Sequence, residues 1–361
     1  IIFTILTVSF IASLFFVNNN HVFYDRPIAQ VIEITNEEQI DVTDEKQNQD
    51  VVYTQHLLAK MKNGESKGEF ITFSNDYSAS RAYHPKLLVG QDVFVSVDST
   101  GGENLTGSII DVKRDSSLMV ITWIFIFVLL GVGRNQGFFA IISLVVNGAV
   151  IAYALNVYIN TSNSSLLYIM SIAVIVMTIL SLIFVSGFNE KTYAAIISTL
   201  LGTFMLLLIA MSALQITNEQ GLRYEGMAFL TRHPQAVFMA GVLVGALGAV
   251  MDIGVTMSSS LFSLYEKDNQ ISIKALRASG IEIGKDIMGT MTNILFFAYV
   301  SGTIPSLLLY FMNDVSLGFT LSMTLSLEFT RALAGGIGIV LTIPIGLYTT
   351  IFFISRKRAR S

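Results

Sequence analysis

Apolar runs close to the length of a membrane-spanning helix recur through most of this chain, and no other feature constrains its fold as strongly. About 20 such residues cross the hydrocarbon core of a bilayer as a helix. The runs are Leu118–Val132, Phe138–Tyr158, Leu166–Phe188, Tyr193–Leu214, Ala236–Leu264, Ile287–Phe311 and Leu333–Ile354. A further run, Ile1–Val17, ends in Asn18-Asn19-Asn20 without a small-residue cleavage pattern, so it reads as an uncleaved anchor. Eight spans result. The segment Val315–Glu328 is also apolar and is expected to lie along the interface or re-enter. The chain starts at Ile1 inside an apolar run, so residues upstream are expected to be missing.

Composition agrees with this class. Of 361 residues, 52% are hydrophobic and 13% charged, and the mean hydropathy is +0.62. There is no cysteine, which excludes disulfides and thiol-based sites. The net charge of −4 shows no basic footprint for nucleic acid. Between 27 and 117 the chain turns polar, with β-rich runs at Gln30–Ile34, Gly68–Phe73, Asp92–Val97 and Ser108–Val112. Asn63-Gly64 and Gly101-Gly102 supply turns between them. The expected fold is therefore an all-α polytopic bundle carrying a small β domain, a partial barrel of OB-like kind.

Lysine and arginine mark the cytoplasmic side. With the N-terminus inside, Arg134, Lys191, Lys267, Lys274, Arg277, Lys285 and the tail at 356–361 fall inside, and Arg223, Arg232 and Arg331 outside. Both termini are then cytoplasmic and the β domain at 27–117 extracytoplasmic, followed by a seven-helix domain at 118–355. Residues 269–283, with Ile271, Ile273, Leu276 and Ile281 among Lys274, Arg277 and Glu282, read as an amphipathic helix on the inner surface.

One residue resists this apolar scheme. Asp252 lies within a span, where a carboxylate costs at least roughly 2.5 to 3.5 kcal/mol. Gly241, Gly245, Gly248, Asp252, Thr256 and Ser259 follow at intervals of three or four, which makes one helical stripe that lets another helix approach closely. Asp252 is thus expected to face protein and to load and release protons; the plainer reading is a carboxylate that only bonds two helices together. Asp286, Thr290 and Asn293 share a face of the next span and are the candidate polar partners. Glu328 and Arg331 are three apart at the outer mouth of the last span, as an entry-fixing ion pair or as a gate or substrate contact. Gly335, Gly336, Gly338 and Pro344 mark close packing and a kink in that span. His21, His56, His84 and His233 show no metal-ligand spacing, and neither a phosphate loop nor a nucleophile with a histidine base is evident. No cofactor, metal or enzymatic activity is expected.

The ordered strings GALGAVMDIGVTMSSSLFSLYE, ISIKALRASGIEIGKD, IMGTMTNILFFAY and EFTRALAGGIGIVLTIPI resemble the YibE/F-like family of bacterial integral membrane proteins, over nearly the whole chain. The same order is also similar, more weakly, to the transmembrane half of SecD/SecF and of the resistance-nodulation-division transporters. That likeness implies a proton-coupling role for Asp252 with Thr290 and Asn293 nearby. It also implies a second half, from another copy of the chain or a related YibE/F-like partner. The reading is of a proton-gradient-coupled transporter or translocation-assisting protein for an unknown small-molecule or polypeptide cargo. The rival reading is a non-transporting scaffold or regulatory subunit.

Overall fold

The structure, a computed structural model, describes the chain apart from residues 1, 44–46, 81–84, 100–104, 162–163, 228–232 and 361. His84, Arg232 and the Gly101-Gly102 turn lie outside the described residues. The chain divides into two compact units, Ile1–Val132 and Gly133–Ser361.

The first unit begins with helix α1 (Ile2–Asn19). Five strands follow: β1 (Ile28–Thr43), β2 (Gln49–Met61), β3 (Phe70–Ser78), β4 (Asp92–Ser99) and β5 (Leu105–Val112). They close a barrel in the order β1-β2-β3-β5-β4, antiparallel except for the parallel β3/β5 pair. This is the strand order of an OB-type barrel. Alternate residues Ala29, Val31, Leu57, Ala59, Ile71, Phe73, Val93 and Val95 point inward and form its core. Asn63 closes one end: its amide donates to the carbonyls of His21, Tyr24 and Arg26 at 2.9 to 3.0 Å, and its oxygen accepts from Ile28 N–H at 2.6 Å.

The same unit ties α1 to the start of α2 (Asp115–Asn160). Lys113 Nζ donates to the Val17 carbonyl at 2.7 Å and meets the Asp115 carboxylate at 3.2 Å. The Tyr24 hydroxyl also donates to Asp115. Trp123 Nε1 donates to Ser13 Oγ at 2.8 Å, beside the ring of Phe10.

The second unit holds the remainder of α2, then α3 (Leu166–Ser186), α4 (Glu190–Thr217), α5 (Pro234–Lys267), α6 (Ile273–Ser301), α7 (Ile304–Met312) and α8 (Leu317–Arg358). Small residues bring α4, α5 and α8 together. A methyl at Gly254 would lie 2.6 Å from Thr199 Oγ1, and Gly338 leaves room for Leu206 and Val250. Buried hydroxyls of Thr178, Ser198, Thr342 and Thr350 donate to their own helix carbonyls, so they cross the apolar interior satisfied.

Several expectations about the helices change. Among the described residues, five helices are long and apolar enough to span a membrane, and six if α6 and α7 form one bent span. The runs at 118–132 and 138–158 are, as expected, two helical pieces within Asp115–Asn160, separated by a kink where Arg134 takes φ 46° and ψ −123°. Residues 269–283 do not form a separate surface helix. From Ile273 they run unbroken into the Thr-rich span as α6, and the 50° bend comes at Gly302-Thr303, ahead of Pro305. Pro305 sits in the first turn of α7, where its missing N–H costs no helical bond. Val315–Glu328 is likewise not a separate interfacial piece, because α8 runs from Leu317 through Pro344 to Arg358.

Candidate functional site

Three helices of the second unit, α5, α6 and α8, carry all the intramembrane candidates. α5 starts with Pro234 in its first turn and buries apolar side chains on most of its circumference, among them Phe238, Leu243, Val250, Ile253, Met257 and Leu261. What remains outside is the stripe of small and polar residues: Gly241, Gly245, Gly248, Asp252 and Ser259 are exposed, and Thr256 is half-buried. The expectation that Asp252 faces protein is therefore corrected for the single chain. The larger side chains of α5 take the contacts with α4 and α8, which leaves the part of the stripe around Gly248 and Asp252 open among the described residues.

The stripe is not uniform. Gly241 lies 3.6 Å, measured from a methyl placed on it, from Arg331 Nε. Gly245 lies beneath the Tyr299 hydroxyl of α6. A methyl on Gly248 would meet nothing within 4 Å, so of the three expected packing glycines only Gly241 and Gly245 have a side chain over them.

Two contacts fix the register of α5 on α6. Gly245 pairs with Tyr299, and Leu261 with Gly280, so the helices are antiparallel. Counting from these contacts, Asp252 lies level with residues at about 289 to 292 of α6. Thr290 and Asn293 are therefore at its depth, and both are exposed. Thr290 Oγ1 donates to the Ile287 carbonyl of its own helix at 3.0 Å. Asp286, also exposed, lies about one to two turns away along α6. No hydrogen bond joins Asp252 to these three residues among the described ones.

Glu328 and Arg331 do form a pair. Arg331 Nη1 donates to Glu328 Oε1, with 19% and 23% of the Arg331 and Glu328 side chains exposed. The Arg331 guanidinium lies 5.3 Å from the centre of the Phe238 ring on α5, and its Nε is buried without a hydrogen-bond partner. The pair thus bridges α8 and α5 at one end of the stripe. Counted along α5 from Gly241, Asp252 is about 17 Å away. Arg331 and Asp252 are on the same stripe but are not partners.

Tyr299 was missing from the sequence-derived site. A lone tyrosine at the end of an apolar run is a signal, since its hydroxyl needs a polar neighbour when buried. Its place over Gly245 follows only from the antiparallel register. No group of three or more His, Asp or Glu residues could hold a metal ion among the described residues.

No curated protein and no solved structure matches the chain. Two family models do: one described as YibE/F-like protein matches residues 121–356, and one described as YibE/F family N-terminal domain matches residues 22–112.

Proposed function

The chain belongs to the YibE/F-like family, and from that premise we propose a multi-pass membrane protein in which Asp252 carries protons for a gradient-coupled transport or translocation-assisting process. The observation that supports this most is the position of Asp252. It is the one charged residue between Arg232 and Glu266, it is open on the surface of α5, and it lies level with Thr290 and Asn293. Ionisable side chains at such depth are rare, and they mark ion and proton pathways.

The proposal counts eight spans: the five apolar helices, with α2 as two spans around Arg134, the bent α6/α7 pair as one, and α1. It puts the protein in a bacterial cell membrane with both termini cytoplasmic and the barrel outside, as the lysine and arginine distribution favours. The cargo is a small molecule or polypeptide, and no cofactor or enzymatic step is involved. The second reading, a scaffold subunit, is favoured by the open face at Gly248, which suits a helix from another copy or a related partner.

The two readings differ in whether Asp252 titrates. Infrared difference spectra of protein reconstituted in lipid, recorded across pH 4 to 9, are expected to contain a protonated-carboxyl band that disappears in Asp252→Asn. An identical band set in both proteins would refute the proton-carrying role and favour the scaffold.

A further inference from the structure

A second feature of the membrane unit lies away from Asp252, along the outside of α6 and α8. One groove of about 440 Å³ is lined by Thr292 and Phe296 of α6 and by Phe329, Gly336, Ile337 and Val340 of α8, among others. Another of about 250 Å³ is lined by Ile281, Gly284, Lys285 and Met288 of α6 and by Pro344 and Tyr348 of α8, among others. They share Val340, so they form one apolar trough along the helix pair. Glycines create it: Gly284 packs beneath Ile343, and Gly336 approaches Thr292 Cγ2 to 3.3 Å, measured from an added methyl.

The trough is basic at one end only. Lys285 lines it there, and about two turns further the Arg277 guanidinium lies 5.5 Å from the centre of the Tyr348 ring, which also lines the trough. At about 100° per residue, Arg277, Ile281, Lys285, Met288 and Thr292 share one face of α6. Glu282 and Asp286, the acidic residues nearby, point about 100° and 140° away from the middle of that face. From Lys285 to Phe296 the trough runs about 17 Å along α6, close to half of the roughly 30 Å hydrocarbon core and so to one leaflet. A lysine stem along apolar surface with its ammonium at the boundary is the usual way such a side chain meets a headgroup.

We propose that the α6/α8 trough binds an anionic phospholipid, one acyl chain along Val340, Gly336 and Phe296 and the phosphate at Lys285 and Arg277. Chain-shaped apolar space occurs on many membrane helices. The restriction of cationic groups to one end is what selects an anionic headgroup. The inference needs only that these helices lie in a membrane, and it is independent of Asp252.

Native mass spectrometry of the full chain, released from detergent with phosphatidylglycerol or phosphatidylcholine at equal concentration, tests it. Wild type is expected to retain phosphatidylglycerol about 25-fold better, at roughly fivefold, or about 1 kcal/mol, per basic side chain. Lys285→Gln and Arg277→Gln are each expected to reduce that preference about fivefold, and the double variant to abolish it. Both side chains are on the surface, so folding is expected to survive, and the wild-type comparison of the two lipids stands without any variant. Equal retention of both lipids by wild type, an undiminished preference in the double variant, or a lipid-free dimer burying this face would each overturn the proposal.

Discussion

Glu328 and Arg331 show how a charge is kept inside an apolar bundle. Each side chain is more than three-quarters buried, and Arg331 also lies on the Phe238 ring. Removing one partner leaves the other charge desolvated and alone, which costs on the order of 3 kcal/mol, whereas replacing both with apolar residues is close to neutral. Glu328→Leu is therefore expected to lower the unfolding midpoint in detergent more than the double change Glu328→Leu with Arg331→Met. A double variant as unstable as the single one, or more so, would contradict this account. At this scale the sequence was informative, because a charge in an apolar run stands out and the spacing of three puts the pair on one face. The open side of Asp252 was not legible. Periodicity places the stripe of small residues on one line, but not which neighbouring helices cover that line.

Among the elements, the barrel depends on long-range pairing that local patterns disclose only in part. β2 was not foreseen: Val51-Val52 and Leu57-Leu58 interrupt strict alternation, and Leu57-Leu58-Ala59-Lys60-Met61 has helix-forming residues. Pairing with β1 on one side and β3 on the other decides its conformation. On its surface Tyr53 and Tyr77 stack with ring centres 4.9 Å apart, and Lys86 reaches Glu37 at 2.9 Å. Hydrogen bonding from the Tyr77 hydroxyl, then from Lys86, holds the Glu37 carboxyl below its ordinary value. A depressed carboxyl contributes stability that is complete above the unfolded-state value, about pH 4.3, and is lost as pH falls through the lower folded value. Because 35% of the Glu37 side chain and 48% of the Lys86 side chain are exposed, the contribution is under about 1 kcal/mol. Amide protection in β2 and β3 of the full chain, taken relative to the intrinsic exchange rate at each pH, is expected to fall by up to about fivefold below about pH 4, and in Glu37→Gln to be lower at neutral pH with a flatter acid response. An unchanged acid profile in that variant would show the pair to be inert. The α6 misreading has a similar cause. Ile273 to Lys285 carries an amphipathic pattern and Ile287 onward an apolar one, which reads as two elements, but no residue between them breaks a helix, so the backbone continues to Gly302.

At the scale of the whole molecule, membrane character, the barrel and family were readable because apolar runs and long ordered strings survive without knowledge of contacts. The span count was less so. The break at Arg134 shows in the sequence as a polar gap between two apolar runs, whereas the Gly302-Thr303 bend inside Ile287–Phe311 is a backbone event with only weak local signals in composition. The central claim joins the two scales: a bundle of this family moves protons through one carboxylate. Proton flux into proteoliposomes under an imposed potential, read by a pH dye, tests it most directly, with Asp252→Asn compared after both proteins are shown to be folded and inserted. The account predicts flux in wild type and its loss in Asp252→Asn. Undiminished flux in the variant would contradict it.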